Sequence, residues 1–229
     1  QGHIEELWGL ASHPNQHQFL TCCYDRMLYM WDTLTHTVIW SYDLNDGAHC
    51  VCFHPEGNLV VVGTLGARWL VLDATTRDLV TTHSDGSEPL ECVDFSPDGK
   101  MLAVGSRDNN IYMYAVTDGG RKYSRVGKCS GHSSFITHID WSADSQYLQS
   151  NSGDYEILYW NASNCRQITS ASTMRDVKWN TQTCTLGFGV CGIWPEGADG
   201  TDVNACHRSN RENLVATADD FGKVNLYTY

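Results

Sequence analysis

Short apolar runs recur along the chain, each bounded by polar turn residues, and none is long enough to show a helical period. In one stretch Leu90, Cys92, Asp94 and Ser96 alternate with Glu91, Val93 and Phe95, the period of two that a strand requires. Pro97-Asp98-Gly99 follows as a turn, its proline presetting φ and its glycine tolerating a positive φ. Met101 to Val104 predicts a second strand, Asn109-Asn110 a second turn, and Ile111 to Tyr114 a third strand. Thr81-Thr82 and Tyr123 to Val126 fall where outer strands belong.

This pattern repeats. Turns begin at His13-Pro14-Asn15, His54-Pro55-Glu56-Gly57, Ser96-Pro97-Asp98-Gly99 and Ser142-Ala143-Asp144, spaced by 41, 42 and 46 residues. A second marker keeps the same spacing: Trp31-Asp32, Leu72-Asp73, Tyr114-Ala115 and Trp160-Asn161. A period of about 40–45 residues closing on Trp-Asp marks the WD40 repeat, with four strands in each propeller blade. The expected fold is all-β: a WD40-type β-propeller with four-stranded blades, in a partial or atypical ring of five to six. Residues 1–229 form one domain or fragment, with units at approximately 3–43, 44–83, 87–128, 131–170 and an irregular 171–229. The chain opens on Gln1 and closes on Tyr229, which predicts a piece of a longer protein.

Between Trp160 and Leu214 the period stretches. Met174 to Trp179 reads as a first strand and Thr183 to Val190 as a second, followed by a loop from Trp194 to Gly200. Either this is a degenerate extra blade or an insertion in the fifth.

A polar chain is expected to stiffen the fourth unit. His132, Ser150, Asp154 and Trp160 occupy positions that hydrogen-bond in series in WD40 blades, and a satisfied buried network rigidifies its surroundings. Asp25 and Asp108 are the equivalent acids of units one and three. Gly66 replaces the acid in unit two, so its network is expected to be incomplete.

The formal net charge of −12 predicts a surface that repels nucleic-acid phosphates and anionic lipid, so neither is an expected partner. The ten cysteines form no C-x-x-C pair and read as reduced, mostly buried thiols of a cytosolic protein. His49, Cys50, Cys52 and His54 invite a zinc reading, but they lie where the first strand of a blade belongs, and no metal or cofactor is expected. G-x-S-x-G, the P-loop pattern and H-E-x-x-H are absent from the sequence. His83-Ser84-Asp85 supplies triad letters side by side in an inter-blade loop, whereas triads assemble from separated positions. The chain therefore reads as a non-catalytic interaction scaffold.

The irregular stretches are distinctive. Leu186 to Asp202, Ser130 to His138, Asn151 to Trp160 and Ala218 to Val224 resemble the echinoderm microtubule-associated protein-like family, and the resemblance spans essentially the whole chain. It implies most of the second of two tandem propellers, in a cytoplasmic protein of the microtubule cytoskeleton, spindle or cilium. It also implies binding to tubulin, microtubules or microtubule-associated proteins, and an influence on microtubule organisation. The alternative is a structural half that docks on its sister propeller or on a non-tubulin partner. Microtubule surfaces are acidic, so an acidic segment is not expected to be the main lattice anchor. Propellers bind through the loops before strand one and between strands two and three. Tyr24, Arg107, Phe135 and Tyr155 fall on that face, with Arg68 and Trp69 as further candidates.

Overall fold

The structure is a computed structural model that describes residues 2–194, 196–197 and 203–228. Its first antiparallel sheet holds β1 (Leu7–Ser12), β2 (Gln18–Cys23), β3 (Met27–Asp32) and β4 (Thr37–Asp43). The second holds β5 (Ala48–Phe53), β6 (Leu59–Thr64), β7 (Arg68–Asp73) and β8 (Leu79–Ser84). The third holds β9 (Leu90–Phe95), β10 (Met101–Ser106), β11 (Asn110–Thr117) and β12 (Lys122–Ser130). Two three-stranded sheets follow, β13 (Ile136–Trp141) with β14 (Tyr147–Ser152) and β15 (Ile157–Asn161), then β16 (Val203–Arg208) with β17 (Leu214–Asp219) and β18 (Val224–Thr228). Strands pair in chain order within every sheet. The first strands pack on one another, β1 on β5, β5 on β9 and β9 on β13, so the sheets are propeller blades with their first strands innermost.

Burial follows from this stacking. Every residue of β5 and β6 is buried because the second blade is covered on both faces, which is why Leu59 to Val62 is an unbroken aliphatic run. The outermost strand β4 instead alternates between exposed and half-buried positions. Leu20, Leu28, Val51, Val60 and Val62 fill the space between blades one and two. Cys50, Val61, Trp69, Val93, Phe95 and Val104 fill the next space, and Ala103, Ile139, Trp141 and Trp160 the third.

The turns lock neighbouring blades. Ser96 Oγ donates to Asp98 Oδ1 at 2.6 Å and accepts from the Met101 N–H at 2.9 Å. Gly99 adopts φ +69° against the His54 ring, where an added Cβ would lie 2.8 Å from Nε2. In the corresponding turn of blade two, His54 Nδ1 accepts the Glu56 N–H at 3.3 Å.

Each innermost strand carries one extra, unpaired residue. The register skips Trp8 in β1, His49 in β5, Glu91 in β9, Thr137 in β13 and Asn204 in β16. Such bulges kink the strand and re-aim the side chain.

The irregular segment departs from expectation. Among the described residues neither Met174 to Trp179 nor Thr183 to Val190 is a strand. A 3-10 turn spans Ala171–Met174, a second spans Cys191–Ile193, and Trp179 makes one isolated bridge to Ser142. Side chains of blade four take the donors that a ladder would have used. Asp140 accepts the N–H groups of Thr183 and Cys184 at 2.8 and 2.9 Å, and Asn151 Oδ1 accepts that of Leu186 at 2.9 Å. These three backbone donors are thus met by side chains of blade four. The segment lies against blade four, and its Val190 and Ile193 pack on Val203 and Val215 of the last sheet. Pro195 and residues 198–200 of the expected loop lie outside the described residues.

Candidate partner-binding face

Two blades carry the same polar chain. In blade four, Trp160 Nε1–H donates to Ser150 Oγ at 2.8 Å, Ser150 Oγ–H donates to His132 Nε2 at 2.8 Å, and His132 Nδ1–H donates to Asp154 Oδ2 at 2.9 Å. This order holds for a neutral imidazole, because the indole can only donate and the carboxylate can only accept. Burial works to raise the Asp154 carboxyl, but the N–H groups of Ser133 and Glu156 and the His132 ring outweigh it and hold it below its usual value. Blade one repeats the arrangement with Trp31, Thr21, His3 and Asp25, at 2.7, 2.8 and 2.9 Å.

Blades two and three differ. Gly66 donates its N–H to Asp46 Oδ2 at 2.9 Å, and Trp69 Nε1–H turns to Asp85 Oδ2 at 3.1 Å. Tyr114 of blade three donates to the same oxygen, and Arg125 Nη1 lies 3.4 Å from Oδ1. Asp108 accepts from Tyr112. The Asp85 carboxylate is therefore a tie between two blades, not part of a triad with His83, whose ring stacks on Trp69 at 4.3 Å. This also corrects the reading of Trp69 as a surface candidate: its ring is fully buried, and no partner reaches it.

His3, Cys23 and Asp25 bring three ligand-type atoms within 4.8 Å. All are engaged in the fold. Cys23 Sγ accepts the Asp25 N–H at 3.4 Å, as Ser106 and Ser152 hydroxyls accept those of Asp108 and Asp154 at 3.2 and 3.3 Å. Cys23 is thus the thiol form of a turn device, and His3 and Asp25 belong to the blade network. Cys50 and Cys52 point into the core shared by blades two and three, where burial pushes both thiols well above their ordinary value.

The bulges of blades one to three converge on one face, at the end where the first strands begin. Trp8 packs against His49 with ring centroids 4.5 Å apart and planes tilted by 37°, and Tyr24 stacks 5.9 Å from Trp8 and 6.0 Å from His49. His49 Nδ1 is 3.0 Å from Glu91 Oε2, and Arg107 Nε–H donates to Glu91 Oε1. The Arg107 guanidinium then sits 5.6 Å over the Phe135 ring. One contiguous stripe, from Trp8 through Tyr24, His49, Glu91 and Arg107 to Phe135, crosses four blades. Burial works to raise the Glu91 carboxyl, but His49 and Arg107 outweigh it and hold it below its usual value. Trp8 and Phe135 remain 52% and 39% exposed, so the stripe presents aromatic surface anchored on the Glu91 carboxylate.

Tyr24, Arg107 and Phe135 thus come together. Tyr155 stands apart at the tip of the β14–β15 turn, 55% exposed, at φ +62°. Arg68 reaches Asp46 at 3.5 Å. Sequence reasoning missed Trp8, His49 and Glu91. Their spacing of 41 and 42 residues matches the repeat and was the available signal. A bulge reads as ordinary alternation until the partner strand is known.

Fold and face together define a WD-repeat propeller that displays a bulge-built aromatic surface. The chain belongs to the echinoderm microtubule-associated protein family: residues 7–229 match the family model described as "Echinoderm microtubule-associated protein second beta-propeller". Over its whole length it is 60% identical to rat "Echinoderm microtubule-associated protein-like 2", covering 35% of that protein. It is 58% identical to human "Echinoderm microtubule-associated protein-like 1" and 57% identical to the "77 kDa echinoderm microtubule-associated protein" of Strongylocentrotus purpuratus, again along its full length, covering 28% and 33% of them. The chain therefore spans about a third of the length of these relatives.

Proposed function

We propose that this propeller is a non-catalytic interaction module of a microtubule-associated scaffold in the cytoskeleton. It binds tubulin, microtubules or a microtubule-associated protein through the face that carries Tyr24, Arg107, Phe135 and Tyr155, with Arg68 at its margin. The observation that carries this reading is the continuous stripe across four blades. Exposed aromatics and arginine on rigid scaffold loops are the usual anchors of a protein interface. Co-sedimentation with stabilised microtubules and size-exclusion chromatography with free tubulin, each across a salt series, test it. Phe135→Ala and Tyr155→Ala are expected to weaken whatever binding is seen by about tenfold together, the loss typical of removing interface hot spots. Binding unchanged in both variants would remove the site from this face.

A second reading has its own support. Leu10 on β1 and Leu214, Val224 and Leu226 on the last sheet are exposed, apolar positions suited to docking a sister propeller. If that is the main role, the folded chain binds in neither assay, and polar substitutions at those four positions disrupt domain packing instead.

A further inference from the structure

Among the described residues, four aromatic rings are capped by a cation of the chain itself. Arg107 lies over Phe135 at 5.6 Å, Arg125 over Tyr112 at 4.6 Å, Arg175 over Phe188 at 5.4 Å and Lys223 over Phe221 at 6.0 Å. Trp8 is the ring type that binds cations best. It is 52% exposed and has no such cap among the described residues. Its indole stacks on Tyr24 and packs at a tilt against His49. Beside it His49 is only 9% exposed, and its Nδ1 lies 3.0 Å from Glu91 Oε2.

The charges around this shelf are acidic. Trp8 Nε1–H donates to Glu6 Oε2 at 3.3 Å, and Glu5 beside it is exposed. The whole chain carries −12. Arg107, whose charge acts on Tyr24, is already committed to Glu91 and Phe135.

We infer that the Trp8 shelf receives an arginine side chain from a basic segment of a partner protein. The guanidinium lies flat on the free indole face, and the Glu5 and Glu6 carboxylates accept its N–H groups. Arginine suits this place better than lysine because its planar fork stacks and pairs with carboxylates at once, where an ammonium is a compact point charge. The inference rests on the reading that this face binds a protein, and it adds the chemistry of the bound segment. It also supplies a partner of opposite charge for an acidic module, so association is steered and salt-dependent.

The test is fluorescence anisotropy of the full-length protein carrying this chain, with a short glycine-spaced arginine peptide and its lysine and glutamate counterparts. The arginine peptide is expected to bind about fivefold more tightly than the lysine peptide, with Trp8→Ala weakening it about tenfold and erasing that preference, as loss of a cation–π contact would. Trp8→Phe retains part of the preference. Glu6→Gln weakens binding about twofold, the scale of one exposed ion pair. Glu56→Gln, the same charge change on the opposite face beside His13, leaves it unchanged. Melting curves confirm that each variant is folded. The inference is overturned if Trp8→Ala binds as the parent does, if the glutamate peptide binds best, or if the folded protein binds no arginine peptide at low salt. Co-sedimentation of Trp8→Ala with microtubules separates the two levels. Peptide binding without any tubulin or microtubule binding leaves the shelf standing and removes the tubulin reading, and the converse removes only the shelf.

Discussion

At the scale of single residues, the same four-member chain appears with threonine in blade one and serine in blade four. Either hydroxyl takes the indole N–H and passes a proton toward histidine, so one geometry serves both. Removing His132 leaves Ser150 and Asp154 without their partner in a buried site, so His132→Ala is expected to cost about 1–3 kcal/mol in chemical denaturation. Asp154 is held below its usual value in the folded chain. Its contribution is therefore present above the unfolded carboxylate pKa and lost as pH falls through the lower folded one, and the cost of His132→Ala shrinks in acid accordingly. Asp94 behaves in the opposite sense. An edge of its side chain reaches solvent, yet burial of the carboxyl, with the charge of Asp140, pushes its pKa up to about 8. The unfolded value is about 3.9. Between those values the folded state holds the extra proton, so stability falls as pH rises from about 4 to about 8. Asp94→Asn is expected to flatten that fall, gaining stability over the parent at pH 8 and little at pH 4. A urea midpoint that moves equally at both pH values would refute this account of Asp94.

At the scale of elements, close approach decides which small residues matter. A Cβ on Gly105 in β10 would lie 2.4 Å from Cys92 Sγ and 2.8 Å from Ile136 Cγ2 of the next blade. Gly105→Ala is expected to destabilise by about 1–3 kcal/mol, the range for overpacking a tight core. Gly192, with nothing within 4 Å of the same added atom, should accept alanine with little change in melting temperature. The strands containing Gly105 were legible from alternation, because a half-buried or sandwiched strand writes its environment into its residue pattern. The irregular segment was not legible. Its apolar, β-branched runs look like strands, but Asp140, Asn151 and Gln149 sit on β13 and β14 and claim its backbone and side chains from across the fold. No local pattern announces that claim.

For the whole molecule, stacking order links blade chemistry to the face. Each innermost strand carries its bulge at the same place, so side chains about forty residues apart become neighbours around one end of the propeller. Their types differ from blade to blade: tryptophan, histidine, glutamate, threonine, asparagine. The repeat thus supplies a frame on which unlike residues make one composite surface. Because the chain is acidic overall, binding through basic segments should weaken steeply as salt rises, while docking through the exposed leucines and Val224 should not. The salt series in the sedimentation experiment therefore reports which surface is in use.

The sequence by itself determined the blades. Strand period, turn residues and the spacing of paired markers are local quantities, and each blade reads them without knowledge of the others. Tyr24, Arg107 and Phe135 could be placed on one face because loop position within a repeat fixes which end of the propeller a residue occupies. Tertiary structure alone decided that Trp69 is buried, that Asp85 ties two blades, and that Trp8, His49 and Glu91 join the candidate face. Each of those outcomes depends on an atom in another blade: a tyrosine hydroxyl, a stacked ring, a register skipped by one residue against a partner strand. Such contacts are set by packing across blades, which the repeat spacing alone does not specify.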